Sequence, residues 1–255
     1  MLWQDQLIWA IALSGLVVAL AWREELLTHP AAVVALLLGI ATWYAGTWTT
    51  AMPLIAFFAA GSLSGRLFAS RETEEEPRNA WQVLANGSAF GLLVLLQIIQ
   101  PSPVWIFGAY ASMAVALSDT SSSEWGKYFG GYTYNIITRK PVVPGLSGGV
   151  SLEGTLAGFG GALLIALLYG IAVTFNWTHM ALLVITGFTG MLADSWIGAK
   201  WQIKYRHTNG KWYDYAGEGG QEMAGRNWMT NNMVNFLSNV IVTMLAMVVY
   251  TLCIL

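Results

Sequence analysis

Residues 144–175 read PGLSGGVSLEGTLAGFGGALLIALLYGIAVTF, a glycine-rich loop set directly in front of an apolar run long enough to cross a bilayer. Gly145, Gly148 and Gly149 allow the backbone to turn with its N–H groups facing inward. A helix opening at Ser151 adds unpaired N–H groups and a positive dipole end, which together favour an anion. The same glycines also serve if they only permit a tight turn into a membrane helix. The rest of the chain has to decide between an anion cradle and a plain turn.

Composition decides the class. Of 255 residues 56 % are hydrophobic and 10 % charged, and 13 are tryptophan, which excludes a soluble fold and points to an all-α polytopic membrane bundle forming a single domain over residues 1–255. Eight candidate spans lie at roughly 6–22, 31–45, 52–69, 81–99, 104–117, 152–175, 179–199 and 232–255, the second and fifth being short. The single cysteine, Cys253, lies in the last run, so no disulfide framework or cysteine metal site is available. The first charged residues, Asp5, Arg23 and Glu24, do not form the basic segment of a cleavable signal.

All 12 Lys and Arg close or follow odd-numbered spans, whereas Asp5 is the one acid clearly on the opposite side. Basic residues collect on the cytoplasmic side, so the expectation is both termini outside and an active face built from cytoplasmic loops at about 70–80, 119–150 and 200–231. The first of these loops carries Glu72, Glu74, Glu75 and Glu76, read as a solvated acidic face. The third mixes glycines with Trp201, Tyr205, Trp212, Tyr213 and Tyr215, which fits either a mobile lid or an interfacial aromatic belt.

Polar residues inside or at the mouths of spans are costly in lipid and are therefore candidates for function. In span seven Gly187, Gly190, Asp194, Gly198 and Gln202 share one helical face, flat and ending in a carboxylate. Asn231, Asn232, Asn235, Ser238 and Asn239 put an amide stripe on span eight, and Arg78, Gln82 and Asn86 put an Arg and two amides on the entry to span four. At the exit of span five, Asp119 and Glu124 would lie about 140° apart on a continuous helix, so they converge on one ion only if the helix breaks there. Two such oxygen ligands beside a glycine loop suit Mg²⁺; a serine-capped helix end is the alternative. The inventory fits Mg²⁺-dependent phosphoryl transfer, while the lack of a GxxxxGK[ST] loop argues against a Walker-type NTPase.

DTSSSEWG (119–126), PGLSGGVSLEG (144–154), DSWIGAKWQ (194–202), NNMVNFLS (231–238) and RNAWQVLANG (78–87), in that set, resemble the membrane family of the plant phytyl-phosphate kinase. That family is similar to the CTP-dependent kinases of phytol and dolichol and, more distantly, to the CDP-lipid synthases. The resemblance implies transfer of a phosphoryl group, with CTP as donor, to an isoprenoid monophosphate such as phytyl, geranylgeranyl or farnesyl phosphate. It carries Asp119, Glu124 and Asp194 onto the family's acidic positions, Gly145, Gly148, Gly149 and Ser151 onto its glycine loop, and Asn231, Asn232 and Asn235 onto its amide motif. Two departures stand out: the stretch before Arg78 is acidic where the family is basic, and Leu146-Ser147 replaces the expected Thr-Asn.

The resulting expectation gives Asp119, Glu124 and Asp194 the Mg²⁺. Gly145, Ser147, Gly148, Gly149 and Ser151, with Arg139 and Lys140, take the nucleotide phosphates, Lys140 in a catalytic role. Arg78, Gln82, Asn86, Gln202, Asn231, Asn232 and Asn235 take the acceptor, its chain lying between spans seven and eight over the glycine face. The bilayer, the nucleotide and the prenyl phosphate are the expected partners, with no nucleic acid, and an oligomer stays open. A nucleotidyltransferase making a CDP-activated lipid is the competing enzyme. A transporter is the competing class, and it calls for broken helices near the bilayer midplane.

Overall fold

The computed structural model describes residues 3–46, 48–68, 77–216 and 221–253. Among them are eight helices: α1 (Trp3–Arg23), α2 (His29–Gly46), α3 (Trp48–Phe68), α4 (Ala80–Ile99), α5 (Pro103–Phe129), α6 (Leu152–Ala172), α7 (Trp177–Trp201) and α8 (Asn231–Cys253). The acidic run Glu72 to Glu76 lies outside the described residues. Six helices, α1, α2, α4, α6, α7 and α8, are long and apolar enough to cross a membrane.

α5 does not read as a strong span because it faces protein rather than lipid. Its stretch Phe107 to Ser118 is buried without interruption, and it packs against α3, α4, α6, α7 and α8. A helix enclosed on all sides needs small residues for close approach more than it needs hydropathy, and here it carries alanines together with buried Ser112 and Ser118. Phe107 stacks on Tyr250 of α8 at 4.1 Å and meets Tyr169 of α6 edge-on, closing the core at one level of the bundle.

The helix starts follow local chemistry. Asn79 and Gln82 form a reciprocal capping box on α4, Ser102 caps α5 with Pro103 in its first turn, Ser151 accepts from the Gly154 N–H to cap α6, and Asn176 caps α7.

The long loops differ from expectation in two ways. α5 continues to Phe129, so Asp119 to Glu124 lie on an unbroken helix rather than in a loop. The remaining segments fold onto small antiparallel sheets. β1 (Tyr134–Asn135) pairs with β2 (Gly149–Val150), while β3 (Lys204–Arg206) is flanked by β4 (Trp212–Tyr213) and β5 (Gln221–Ala224). Buried backbone needs partners, and loops of this length seldom remain without structure.

Candidate active site

A cavity of about 990 Å³ opens at one end of the bundle and runs between its helices. One half is polar. α4 supplies Gln82 and Asn86 with Arg78 just before it, α5 supplies Asp119, Thr120, Glu124 and Lys127, α7 supplies Asp194 and Ser195, and α8 supplies Asn231, Asn232 and Asn235. The segments 144–149 and 212–215 complete this pole, with Ser151. The other half is mainly apolar, with the hydroxyls of Ser14, Thr42 and Ser62 among its lining, and is formed by α1, α2 and α3 with Val83 and Gly87 of α4.

Five motifs far apart in the chain thus meet in one place because the entries of α4, α6 and α8 and the exits of α5 and α7 gather at the same end of the bundle.

Asp194 is the most deeply set carboxylate. It is buried, Ser238 donates to its Oδ2 at 3.0 Å, and Asn235, with its amide turned as its neighbours require, donates to the same oxygen at 3.2 Å and to the Asn231 carbonyl at 2.9 Å. The amide stripe of α8 therefore divides. Asn231, Asn232 and Asn235 face the cavity, whereas Asn239 turns inward, accepting from the Ser112 hydroxyl at 2.8 Å and donating to the Ser112 carbonyl at 3.0 Å.

Asp119 and Glu124 both line the pole, and Glu124 lies 3.8 Å from Lys127 one turn on. The helix does not break between them, and among the described residues no group of three or more His, Cys, Asp or Glu side chains stands close enough to hold a metal ion. The three carboxylates expected to hold one or two Mg²⁺ do not gather into such a group, and an unbroken helix sends Asp119 and Glu124 in different directions.

The glycine loop also departs from expectation. Gly145 and Gly148 have φ of +86° and +85°, which only glycine adopts without strain. Gly145 receives the stem of Lys127, and Gly148 lies against the backbone of Ala199 at the end of α7. The N–H groups, however, are largely spent within the protein. Leu146 donates to Val143, Gly149 donates to the Leu146 carbonyl at 2.9 Å, and Ser147 donates to Asp214 Oδ2 at 2.8 Å. The expected fan of free donors is reduced because buried donors are costly to leave unpaired.

Asp214 is the residue that sequence reasoning missed. It stands between Tyr213 and Tyr215 in the aromatic segment that closes the pole, and its Oδ1 is shielded from solvent with no hydrogen-bond partner among the described residues. Burial pushes its carboxyl up to about 6, against the Ser147 N–H and the charges of Lys204 and Lys127, which pull it down. An acid set between two tyrosines in a glycine-rich loop was the available signal. Lys127 was missed as well, being read as one of many loop cations.

Other expected residues either stand outside the cavity lining, as Arg139, Lys140 and Gln202 do, or line it with their polar groups spent within the protein, as Gln82 and Ser151 do. Arg139 and Lys140 are exposed on the turn beyond β1. Gln202 is buried and accepts from the Ser147 hydroxyl at 2.8 Å, so it supports the glycine loop from behind. Gln82 spends its side-chain oxygen on the Asn79 N–H, and Ser151 spends its hydroxyl on the α6 cap. The carboxylate of Glu153 lies over Gly131, away from the pole.

The glycine face of α7 is not a chain groove. Gly187 packs on Ala114 and Ala162, Gly190 on Val115, and Gly198 on Ser147. Close approach of helices uses up the flat surface.

A multi-pass helical bundle with charged and amide groups collected at one end of an internal cavity is the class that the fold defines. The chain belongs to the integral membrane protein family DUF92, which matches residues 12–243. It is 31 % identical over 244 residues to "Uncharacterized membrane protein sll0875" of Synechocystis sp., covering 89 % of this chain and 84 % of that one. It is 27 % identical over 216 residues to "Protein VTE6, chloroplastic" of Arabidopsis thaliana, covering 80 % of this chain and 59 % of that protein. A third relative, "Uncharacterized membrane protein MJ0933" of Methanocaldococcus jannaschii, is 34 % identical over 156 residues, 59 % of this chain and 64 % of the relative. No solved structure matches. The resemblance read from the five motifs holds at the level of the family.

Proposed function

We propose that this protein is a Mg²⁺-dependent prenyl-phosphate kinase that moves the terminal phosphoryl group of CTP onto an isoprenoid monophosphate. The observation that carries the reading is the composition of the polar pole. Four carboxylates (Asp119, Glu124, Asp194, Asp214) and two cations (Arg78, Lys127) line one cavity with a glycine loop and four asparagines.

The carboxylates outnumber the cations, so the pole favours a divalent cation. Asp119 and Asp194 are the residues that would hold Mg²⁺, which in phosphoryl-transfer sites takes one or two protein carboxylates and completes its shell with water and phosphate oxygens. A bound Mg²⁺ supplies neutralisation of charge on the transferring phosphoryl group. Lys127, lying along Gly145, is set to meet the nucleotide phosphates beside the glycine loop. Asp214, on the Ser147 N–H, competes with a phosphate for that donor and so favours entry of the nucleotide as its metal complex.

In the reaction an oxygen of the acceptor phosphate attacks the terminal phosphorus, the bond from that phosphorus to the bridging oxygen breaks, and CDP leaves. A phosphate monoester is largely dianionic at neutral pH, so the attacking oxygen needs no general base, and no histidine lines the pole. Arg78 and the asparagines of α8 orient the acceptor by charge and by amide donors. On the charge bias of the loops, this pole faces the cytoplasm. Among the described residues the helices run without a break in their spans, which gives no support to a transporter built on interrupted helices.

The test is purified protein with Mg²⁺, a panel of nucleoside triphosphates, and phytyl, geranylgeranyl and farnesyl phosphates. Prenyl diphosphate and CDP, lost with chelator and restored by Mg²⁺, are the expected products. Pyrophosphate with a CDP-lipid would replace this reading by the nucleotidyltransferase, and turnover unaffected by chelation would remove the metal from it.

A further inference from the structure

The apolar half of the cavity has no part in phosphoryl chemistry, yet it is continuous with the polar pole. We infer that this trough between α1, α2 and α3 is the seat of the acceptor's isoprenoid chain, with Arg78 at its mouth, an assignment that rests on the kinase reading above.

Three observations carry it. The first is continuity, because a single cavity joins the carboxylates to Val18 of α1, Leu38 and Trp43 of α2, and Leu54, Phe57 and Phe58 of α3. A ligand with a charged head and an apolar tail satisfies both halves at once, whereas neither a free nucleotide nor a plain hydrocarbon does.

The second is the position of Arg78. Its backbone is tied to the segment between α1 and α2, the N–H donating to Leu26 and the carbonyl accepting from Thr28. Its guanidinium lies over the Phe57 ring at 5.7 Å and against Gly61, where a side chain on α3 would displace it. The cation is therefore built into the neck between the two halves, where a lipid phosphate must stand if its chain enters the trough.

The third is the way the far end is made. Leu38 is received by Gly87 and Gly91 of α4, and Gly39 lies directly against Ser14 of α1, so these helices approach closely and give the trough a floor. From Ala51 to Ser62, the lining residues of α3 span about 16 Å at the helical rise of 1.5 Å per residue. That length takes a farnesyl chain extended and a geranylgeranyl chain only when bent, and it stops short of a polyprenol.

The experiment uses a geranylgeranyl monophosphate with a diazirine near its chain end, irradiated with the full-length protein in nanodiscs and mapped by mass spectrometry. Labelling of α1, α2 and α3 that unlabelled geranylgeranyl phosphate suppresses is the expected result. Competed labelling on α7 or α8 would overturn the assignment even if diphosphate is formed, and so would labelling that competitor does not change. If competed labelling falls on α1 to α3 but no diphosphate forms with any nucleotide, the trough stands and the kinase reading falls. Val18→Trp gives a second measurement, since it fills the trough midway. It is expected to lower kcat/KM for geranylgeranyl phosphate relative to farnesyl phosphate by at least about tenfold, and an unchanged ratio in a well-folded variant counts against the trough.

Discussion

The two halves of the cavity are made of opposite kinds of sequence. The polar pole is assembled from residues that are expensive in a membrane, and most of them stand out as an acid, an amide or a glycine at the mouth of an apolar run. The trough is assembled mainly from Val, Leu, Phe and Trp on α1 to α3, with Ser14, Thr42 and Ser62 between them, and the apolar types are those that the same helices turn toward lipid, such as exposed Leu16, Leu20, Val33 and Leu37. Chemistry is conspicuous in a bilayer and chain binding is not, because an apolar side chain has the same preference for a lipid tail as for a substrate tail.

If the pole alone carries the chemistry, Asp194→Asn should lower kcat/KM by about 10²–10³-fold for every chain length alike, measured as diphosphate formation with membrane insertion checked in parallel. Unchanged activity in an inserted protein would remove Asp194 from the metal.

Arg78 stands at the seam, so Arg78→Ala tests whether the halves serve one ligand. It should raise KM for the prenyl phosphate by about 10–100-fold, the loss of a charge-assisted contact of about 1.5–3 kcal/mol, with little change in KM for the nucleotide. The reverse pattern would assign Arg78 to the donor.

Gly187 lies where a chain groove was expected and close packing is found. Gly187→Ala should cost about 1–3 kcal/mol through forced separation of α7 from α5 and α6, read as a lower Tm, without altering chain-length preference. A change in chain preference would reopen α7 as a chain site.

Asp214 provides a pH test of the pole. A carboxyl whose folded-state pKa is raised binds its proton more tightly when folded. This contribution to stability is therefore full below the ordinary value of 3.8 and is lost as pH rises through about 6. Asp214→Asn should flatten the decline in Tm between pH 4 and 7, the difference amounting to about 1–2 kcal/mol once the partial exposure of the segment is allowed for. Parallel curves would mean that Asp214 titrates as an ordinary surface acid.

The smallest effect is expected at Gly160 on α6, where an added side chain meets open space. Gly160→Ala should stay within about 1 kcal/mol of wild type in thermal unfolding.

Legibility followed cost and spacing. Asp119, Asp194 and Asn231 to Asn235 were readable because each breaks an apolar pattern, and the glycine loop was readable from its own composition. Asp214 and Lys127 were harder to see, since an acid or a lysine in a loop is ordinary until the fold brings it inward. Conversely, Gln202 looked like a ligand on the span-seven face, yet folding spends its side-chain oxygen on Ser147. The short sheets at β1–β2 and β3–β5 left no period-two signal, since strands of two to four residues are too brief to show one.

By itself the sequence determined a helical membrane bundle, the approximate course of its spans, and the clustering of polar groups at the ends of particular spans. Lipid imposes those features residue by residue, through hydropathy, capping and the cost of charge. Only the tertiary structure decided which faces became contact and which became cavity. It buried the glycine face of α7, drew Asp214 onto the Ser147 amide, and left a trough between α1, α2 and α3. Those outcomes depend on which helices lie side by side, and an apolar surface carries no local mark of whether its neighbour will be a helix, a lipid or a ligand.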